Sequence, residues 1–126
     1  MKTPILVAES ETIIADDIQY LLADWGYEPE VAHTGPTMLQ AIRDRKPQLV
    51  IVDNRLDGRS GGDRFAEQIR SRFGVSVILM IDWLNRETER RLTESDIPWV
   101  TKPFDCDALQ ITVAEALKKT DTTIGK

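Results

Sequence analysis

Leu49-Val50-Ile51-Val52-Asp53 carries four consecutive apolar residues straight into a single carboxylate. Pro47 stands just before it, and Asn54, Arg55, Leu56, Asp57 and Gly58 follow as a loop. A short apolar run bounded by turn residues reads as a strand covered on both faces. Such strands belong to parallel sheets flanked by helices, where the functional crevice lies at the carboxyl ends of the strands. Asp53 stands at that end.

The neighbouring stretches extend this reading in both directions. Upstream, Ile5-Leu6-Val7-Ala8 is a second apolar run and ends in Glu9-Ser10-Glu11. Ile14, Ile18, Leu21, Leu22 and Trp25 then recur at helical spacing, with Ser10 as the expected N-cap and Gly26 past the end. Tyr27–Ala32 is a weaker strand whose Pro29 suits a sheet edge. Thr34-Gly35-Pro36 opens a second helix with Leu39 and Ile42 inward, and Lys46-Pro47 closes it. Downstream of the central run, Phe65, Ala66, Ile69 and Phe73 mark a third helix closed by Gly74, and Val75–Ile81 is a third apolar run. Asp82-Trp83-Leu84-Asn85 leads into the charged segment Arg86–Glu94, whose main apolar position is Leu92. Pro98–Thr101 is a short strand, Lys102-Pro103-Phe104 a turn, and Asp105 the cap of a last helix striped by Leu109, Val113, Ala116 and Leu117. Five strands thus alternate with five helices. That order predicts an α/β fold, a doubly wound five-stranded parallel sheet of (βα)5 type with helices on both faces. Residues 1–120 are expected to form one domain and residues 121–126 a polar C-terminal tail.

The bulk numbers narrow the function. The chain has 126 residues, enough for one sizeable core. Its net charge of -5 and lack of a basic stripe give no support for direct nucleic-acid binding. One Cys, Cys106, excludes an intrachain disulfide, and one His leaves no thiolate or imidazole cluster for zinc. The apolar run Ile5–Ala8 is too short for a signal peptide or a membrane span, so the expected location is the cytoplasm.

Three strands end in residues with chemistry: Glu9-Ser10-Glu11, Asp53 and Lys102-Pro103. In a parallel sheet these ends can converge. Carboxylates hold a hard divalent cation, a lysine supplies charge to phosphate oxygens, and a carboxylate can accept a phosphoryl group. Taken in order with Val77-Ile78-Leu79 and the loop Arg55 to Gly62, these pieces resemble the receiver domain of two-component response regulators, across residues 4 to 118. The resemblance implies the flavodoxin-like fold, with Asp53 as phosphoacceptor, Lys102 as phosphate partner and a cis bond before Pro103. It also implies a Mg²⁺ site built from Glu9, Asp53 and the Arg55 backbone carbonyl. The phosphodonor would be a histidine kinase or a histidine phosphotransfer protein. Signalling would pass by protein contact to a downstream target or a fused output domain. A homodimer through the fourth helix, fifth strand and fifth helix is one assembly the resemblance allows.

The chain departs from that family at named positions. Ser10 replaces the second acid of the first strand, so it offers only a hydroxyl or a water bridge and metal affinity should be low. Ile81 replaces the Ser or Thr that reads the phosphoryl group, and Asp82 follows where a small residue is usual. Trp99 stands at the aromatic switch position. The Arg55 guanidinium is expected to pair with Glu9 or Asp53 and to stand in partly for the metal. These changes leave a second reading open, a pseudo-receiver interaction module that works without phosphorylation. Trp83, Trp99 and Val100 read either as ordinary packing or as partner surface, and Arg86–Arg91 as a solvated helix face. Cys106 is expected to pack near the start of the last helix, and His33 to be a loop residue away from the others. Enzymes of the same fold fit poorly. Flavodoxin-type FMN binding needs an uncharged phosphate loop after the first strand, and a haloacid-dehalogenase-type phosphatase needs an acid at position 55.

Overall fold

The computed structural model describes residues 2–58 and 62–124, with side chains through residue 118. Arg59, Ser60 and Gly61 of the predicted loop, and Gly125 and Lys126 of the predicted tail, lie outside the described residues.

The apolar runs form the strands β1 (Pro4–Ala8), β2 (Glu28–Ala32), β3 (Leu49–Asp53), β4 (Ser76–Ile81) and β5 (Trp99–Thr101). They make one parallel sheet in the order β2-β1-β3-β4-β5. Every residue of β3 is buried, as its unbroken apolar run requires of a central strand. Pro29 falls on an edge strand, where its missing N–H breaks no inner ladder.

Side chains alternate across the sheet and build two cores. Leu6, Ala8, Val50, Val52, Leu79 and Ile81 face one layer. Helices α2 (Gly35–Arg45), α3 (Gly62–Phe73) and α4 (Arg86–Glu94) cover it with Met38, Ile42, Ala66, Ile69 and Leu92. Ile5, Val7, Leu49, Ile51, Ile78 and Met80 face the other. There α1 (Thr12–Asp24) and α5 (Cys106–Ile124) supply Ile18, Leu22, Leu109 and Val113. The doubly wound reading is therefore the observed fold.

Local capping chemistry sets most helix ends. Thr34 caps α2 by accepting from Thr37 N at 3.2 Å, and Pro36 follows in the first turn. Asn85 caps α4 by accepting from Thr88 N at 2.8 Å. Asp105 Oδ1 accepts from Asp107 N at 3.1 Å at the start of α5. Gly26 and Gly74 take left-handed φ values of 97° and 65° after α1 and α3.

The start of α1 differs from the expectation. Glu11, not Ser10, is its N-cap residue, and the Glu11 side chain makes no cap bond. Glu9 Oε2 instead accepts from Glu11 N at 3.0 Å. The strand-end carboxylate reaches forward to the N-cap residue's own N–H, and no side chain caps the first turn. Helix α5 also runs on to Ile124, into the stretch read as a tail, because no glycine or proline interrupts it before Gly125.

Candidate functional site

Strand register brings the predicted residues together. Ala8 stands beside Val52, so the next residues, Glu9 and Asp53, leave adjacent strand ends. Ile81 stands beside Thr101, which sets Asp82 next to Lys102 on the other side. The backbone fixes these ends further: Glu9 N donates to Ala32 O at 3.0 Å, Asn54 N to Met80 O at 2.8 Å and Lys102 N to Ile81 O at 2.8 Å. The Lys102–Pro103 peptide is cis.

The Lys102 ammonium is the centre of the site. Its Nζ donates to Glu9 Oε1 at 3.1 Å and stands 3.1 Å from Asp53 Oδ1. The Asp53 contact is an ion pair without the alignment of a hydrogen bond. Asp82 Oδ1 is the third and longest neighbour, at 3.5 Å. Glu9 is fully buried and Asp53 nearly so, whereas the Asp82 side chain is 51% exposed.

Burial raises the Asp53 carboxyl above its ordinary pKa, and the Glu9 charge pushes the same way. The Lys102 ammonium and the Arg55 backbone N–H pull it back only in part. For Lys102, burial favours the neutral amine, but Glu9 and Asp53 outweigh it and raise the lysine pKa above its ordinary value. The site is thus a buried carboxylate pair sharing one firmly protonated amine.

Several expectations change here. Arg55 is exposed and makes no ion pair with Glu9 or Asp53 among the described residues. Lys102 already fills the space between them, so the resident cation comes from β5 and not from the β3 loop. Cys106 is exposed at the first residue of α5, ahead of the buried stripe that begins at Leu109. His33 is a surface residue, yet its ring Nδ1 lies 3.0 Å from the Glu9 carbonyl and ties the β2 exit to the β1 exit. Ser10 is exposed at the site's rim. Ile81 is fully buried and packs into the core cluster that includes Leu92 and, partly buried, Leu84 and Trp99. Val100 is buried in the opposite core, while Trp83 is 84% exposed.

The donor set is a poor cage for a divalent cation. A hard cation wants several oxygens converging on an open point. Here an ammonium lies 3.1 Å from both buried carboxylates. The Arg55 carbonyl already accepts from Gly58 N at 2.9 Å. Among the described residues no three acidic or metal-ligating side chains cluster as a metal site.

Two supports of the site carried no sequence signal strong enough to assign them. Asp57, with a left-handed φ of 65°, turns its carboxylate onto Gly35 N at 3.0 and 3.1 Å. The loop after Asp53 thereby grips the start of α2. The Asp57-Gly58 pair marked a turn, since Asp tolerates this conformation, but nothing in it named the partner. Arg91 of α4 pairs with the buried Asp63 of α3 at 3.1 Å. Residues Asn54, Arg55, Asp82, Trp83, Asn85 and Arg91 line an open cleft of about 680 Å³ beside the site.

Known proteins share this fold. Residues 5–114 match the response regulator receiver domain family. The chain is 29% identical over 117 residues to the transcriptional regulatory protein ZraR of Klebsiella oxytoca, covering 92% of this chain and 26% of that protein. It is also 29% identical over 120 residues to the sensory transduction protein RegX3 of Mycolicibacterium smegmatis, covering 93% and 51%. It spans about a quarter to a half of the length of these relatives. The crystal structure of the signal receiver domain of a putative LuxO repressor protein from Vibrio parahaemolyticus superposes with a TM-score of 0.85 at 26% identity, covering 98% and 95%. With a match across almost the whole chain and the same sheet under it, the protein belongs to the response regulator receiver domain family, the signalling domain of two-component systems.

Proposed function

We propose that Asp53 is the phosphoacceptor of this receiver and Lys102 the cation that meets the incoming phosphoryl group. The observation that carries this reading is the 3.1 Å approach of Lys102 Nζ to Asp53 Oδ1 at the carboxyl end of the central strand. An Asp53 oxygen attacks phosphorus, the bond from phosphorus to the donor's leaving group breaks, and an aspartyl phosphate forms. The ammonium offsets charge on the phosphoryl oxygens as they arrive. The donor would be a histidine kinase or a histidine phosphotransfer protein. The output would be a contact with a downstream protein or a fused output domain. Beyond self-catalysed transfer and hydrolysis at Asp53, no enzyme activity is part of this reading. No helix among the described residues is long and apolar enough to cross a membrane.

Receiver domains typically bind Mg²⁺ at this position. In this chain a metal would have to displace the Lys102 ammonium from two carboxylates, which supports weak binding at best. Mass analysis after incubation with acetyl phosphate, with and without Mg²⁺, tests the acceptor. A mass gain lost in Asp53→Asn supports it, and no gain after long incubation removes it.

One observation favours the second reading, a pseudo-receiver that works by contact alone. Ile81 is sealed into the core and has no hydroxyl to offer a phosphoryl oxygen. The face formed by α4, β5 and α5, with Trp83 exposed at its edge, is the surface a dimer or target would use under either reading. Sedimentation of wild type and Trp83→Ala would show whether it joins two copies.

A further inference from the structure

An ammonium has three N–H donors and no acceptor. Lys102 has three carboxylates around it: Glu9 at 3.1 Å, Asp53 at 3.1 Å and Asp82 at 3.5 Å. Only the Glu9 contact is a hydrogen bond; Asp53 and Asp82 hold the ammonium by charge. An anion that approaches Asp53 and seeks the ammonium competes with these three charges.

Only one can leave. Glu9 is fully buried and holds Glu11 N at 3.0 Å with its other oxygen. Asp53 is 4% exposed and is the acceptor itself. Asp82 is half exposed, makes the longest of the three contacts, and sits in the loop between β4 and α4. It is also the only one of the three that lines the cleft shared with Asn54, Arg55 and Trp83. The cleft is also lined by Arg55, Arg64 and Arg91, the last paired with Asp63, so Asp82 is the acid that stands in it beside Lys102.

We propose that Asp82 is the displaceable counter-ion of Lys102, a positioning residue that holds the ammonium at rest and weakens the approach of free phosphate and small anionic donors to Asp53. The proposal rests on Asp53 being the acceptor and adds selectivity to that site. A small dianion is repelled by the Asp82 charge where it stands beside Lys102. A docked partner protein, by contrast, can pair with Asp82 or turn it outward and release Lys102 to the phosphoryl group.

The test compares wild type with Asp82→Asn, which keeps the shape and removes the charge, and with Asp82→Glu, which keeps the charge. Inorganic phosphate is titrated while the backbone amide resonances of Asn54 and Lys102 are followed. Asp82→Asn should bind phosphate roughly tenfold more tightly than wild type at low ionic strength. The gap should narrow with salt because Asp82 is half in solvent. Asp82→Glu should behave as wild type. Equal affinity in wild type and Asp82→Asn, or a salt-independent gain, overturns the gate. Acetyl phosphate and the less negative phosphoramidate then serve as donors, followed by intact mass. Asp82→Asn should lower the half-saturating concentration of acetyl phosphate more than that of phosphoramidate, with a smaller change in maximal rate. Equal gains with both donors overturn a charge gate. Tighter phosphate binding with no mass gain in any variant keeps the gate and removes the acceptor role. Equal phosphate affinity with normal mass gain does the reverse.

Discussion

Gly62, the first residue of α3, lies directly against the Asn54 backbone. Its N–H donates to Asn54 O at 3.0 Å, and a Cβ placed on it would stand 2.5 Å from Asn54 Cα. The opposing atoms are main chain, so no side chain can swing aside. Asn54 immediately follows Asp53, and any movement there is felt at the site. Gly62→Ala should therefore destabilise the fold by about 1–3 kcal/mol, the usual cost of overpacking. It should also shift the Asn54 amide resonance more than those of distant strands. Thermal unfolding and an amide spectrum check both. An unchanged Tm would show that the α3 start can slide outward freely.

Removing the Lys102 charge should cost more. Lys102→Met leaves Glu9 and Asp53 buried side by side without their counter-ion. Loss of one partner from a buried pair typically costs about 3–5 kcal/mol. Urea unfolding at neutral pH reads the loss. A change within about 0.5 kcal/mol, the range of ordinary surface substitutions, would mean that the two acids are far better solvated than their burial indicates.

Asp53→Asn should act in the opposite direction. A carboxyl whose folded pKa is raised gives stability that is fully present below its unfolded value of 3.8 and is lost as pH climbs through the folded value. The amide does not ionise and avoids that loss. The variant should match wild type in acid and become more stable than wild type as pH rises to neutrality. Lys102, also raised, keeps its contribution throughout this window and loses it only above its ordinary 10.5. Tm against pH for both proteins tests the direction. A variant less stable than wild type at neutral pH would show that the Lys102 attraction outweighs burial and Glu9.

Low-millimolar Mg²⁺ should barely change the tryptophan emission of the wild type. Trp83 lines the cleft beside Asp82 and is open to solvent, so it is placed to report a cation entering there. In Lys102→Met the same Mg²⁺ should raise Tm, because the metal can take the place of the missing ammonium between Glu9 and Asp53. A saturable quench in wild type would show that Mg²⁺ displaces the lysine readily.

Most of the fold was written locally. The β3 run, the helical stripes of α1 and α5, and the Thr34, Asn85 and Asp105 cap positions each sit within a few residues of the feature they determine. Even α4, with Leu92 as its one buried residue, starts and stops where Asn85 and its charged run place it. The site residues were legible as strand ends but not as partners. Arg55 and Lys102 are both cations near Asp53, and only the register of β4 with β5 shows which one reaches it. His33 meeting Glu9 O and Asp57 holding Gly35 N both join separate loops. Loop paths depend on the finished sheet, and no periodicity encodes them.

Glu9 and Lys102 stand 93 residues apart along the chain. During synthesis, which delivers the N-terminal part first, both buried acids leave the ribosome well before their counter-ion. Until β5 arrives, closing β1 against β3 would bring two like charges into a dry pocket with nothing to neutralise them. A nascent chain that has not yet reached β5 is thereby discouraged from closing the central sheet. The lysine that completes the site comes with the last strand of the sheet, with α5 still to follow.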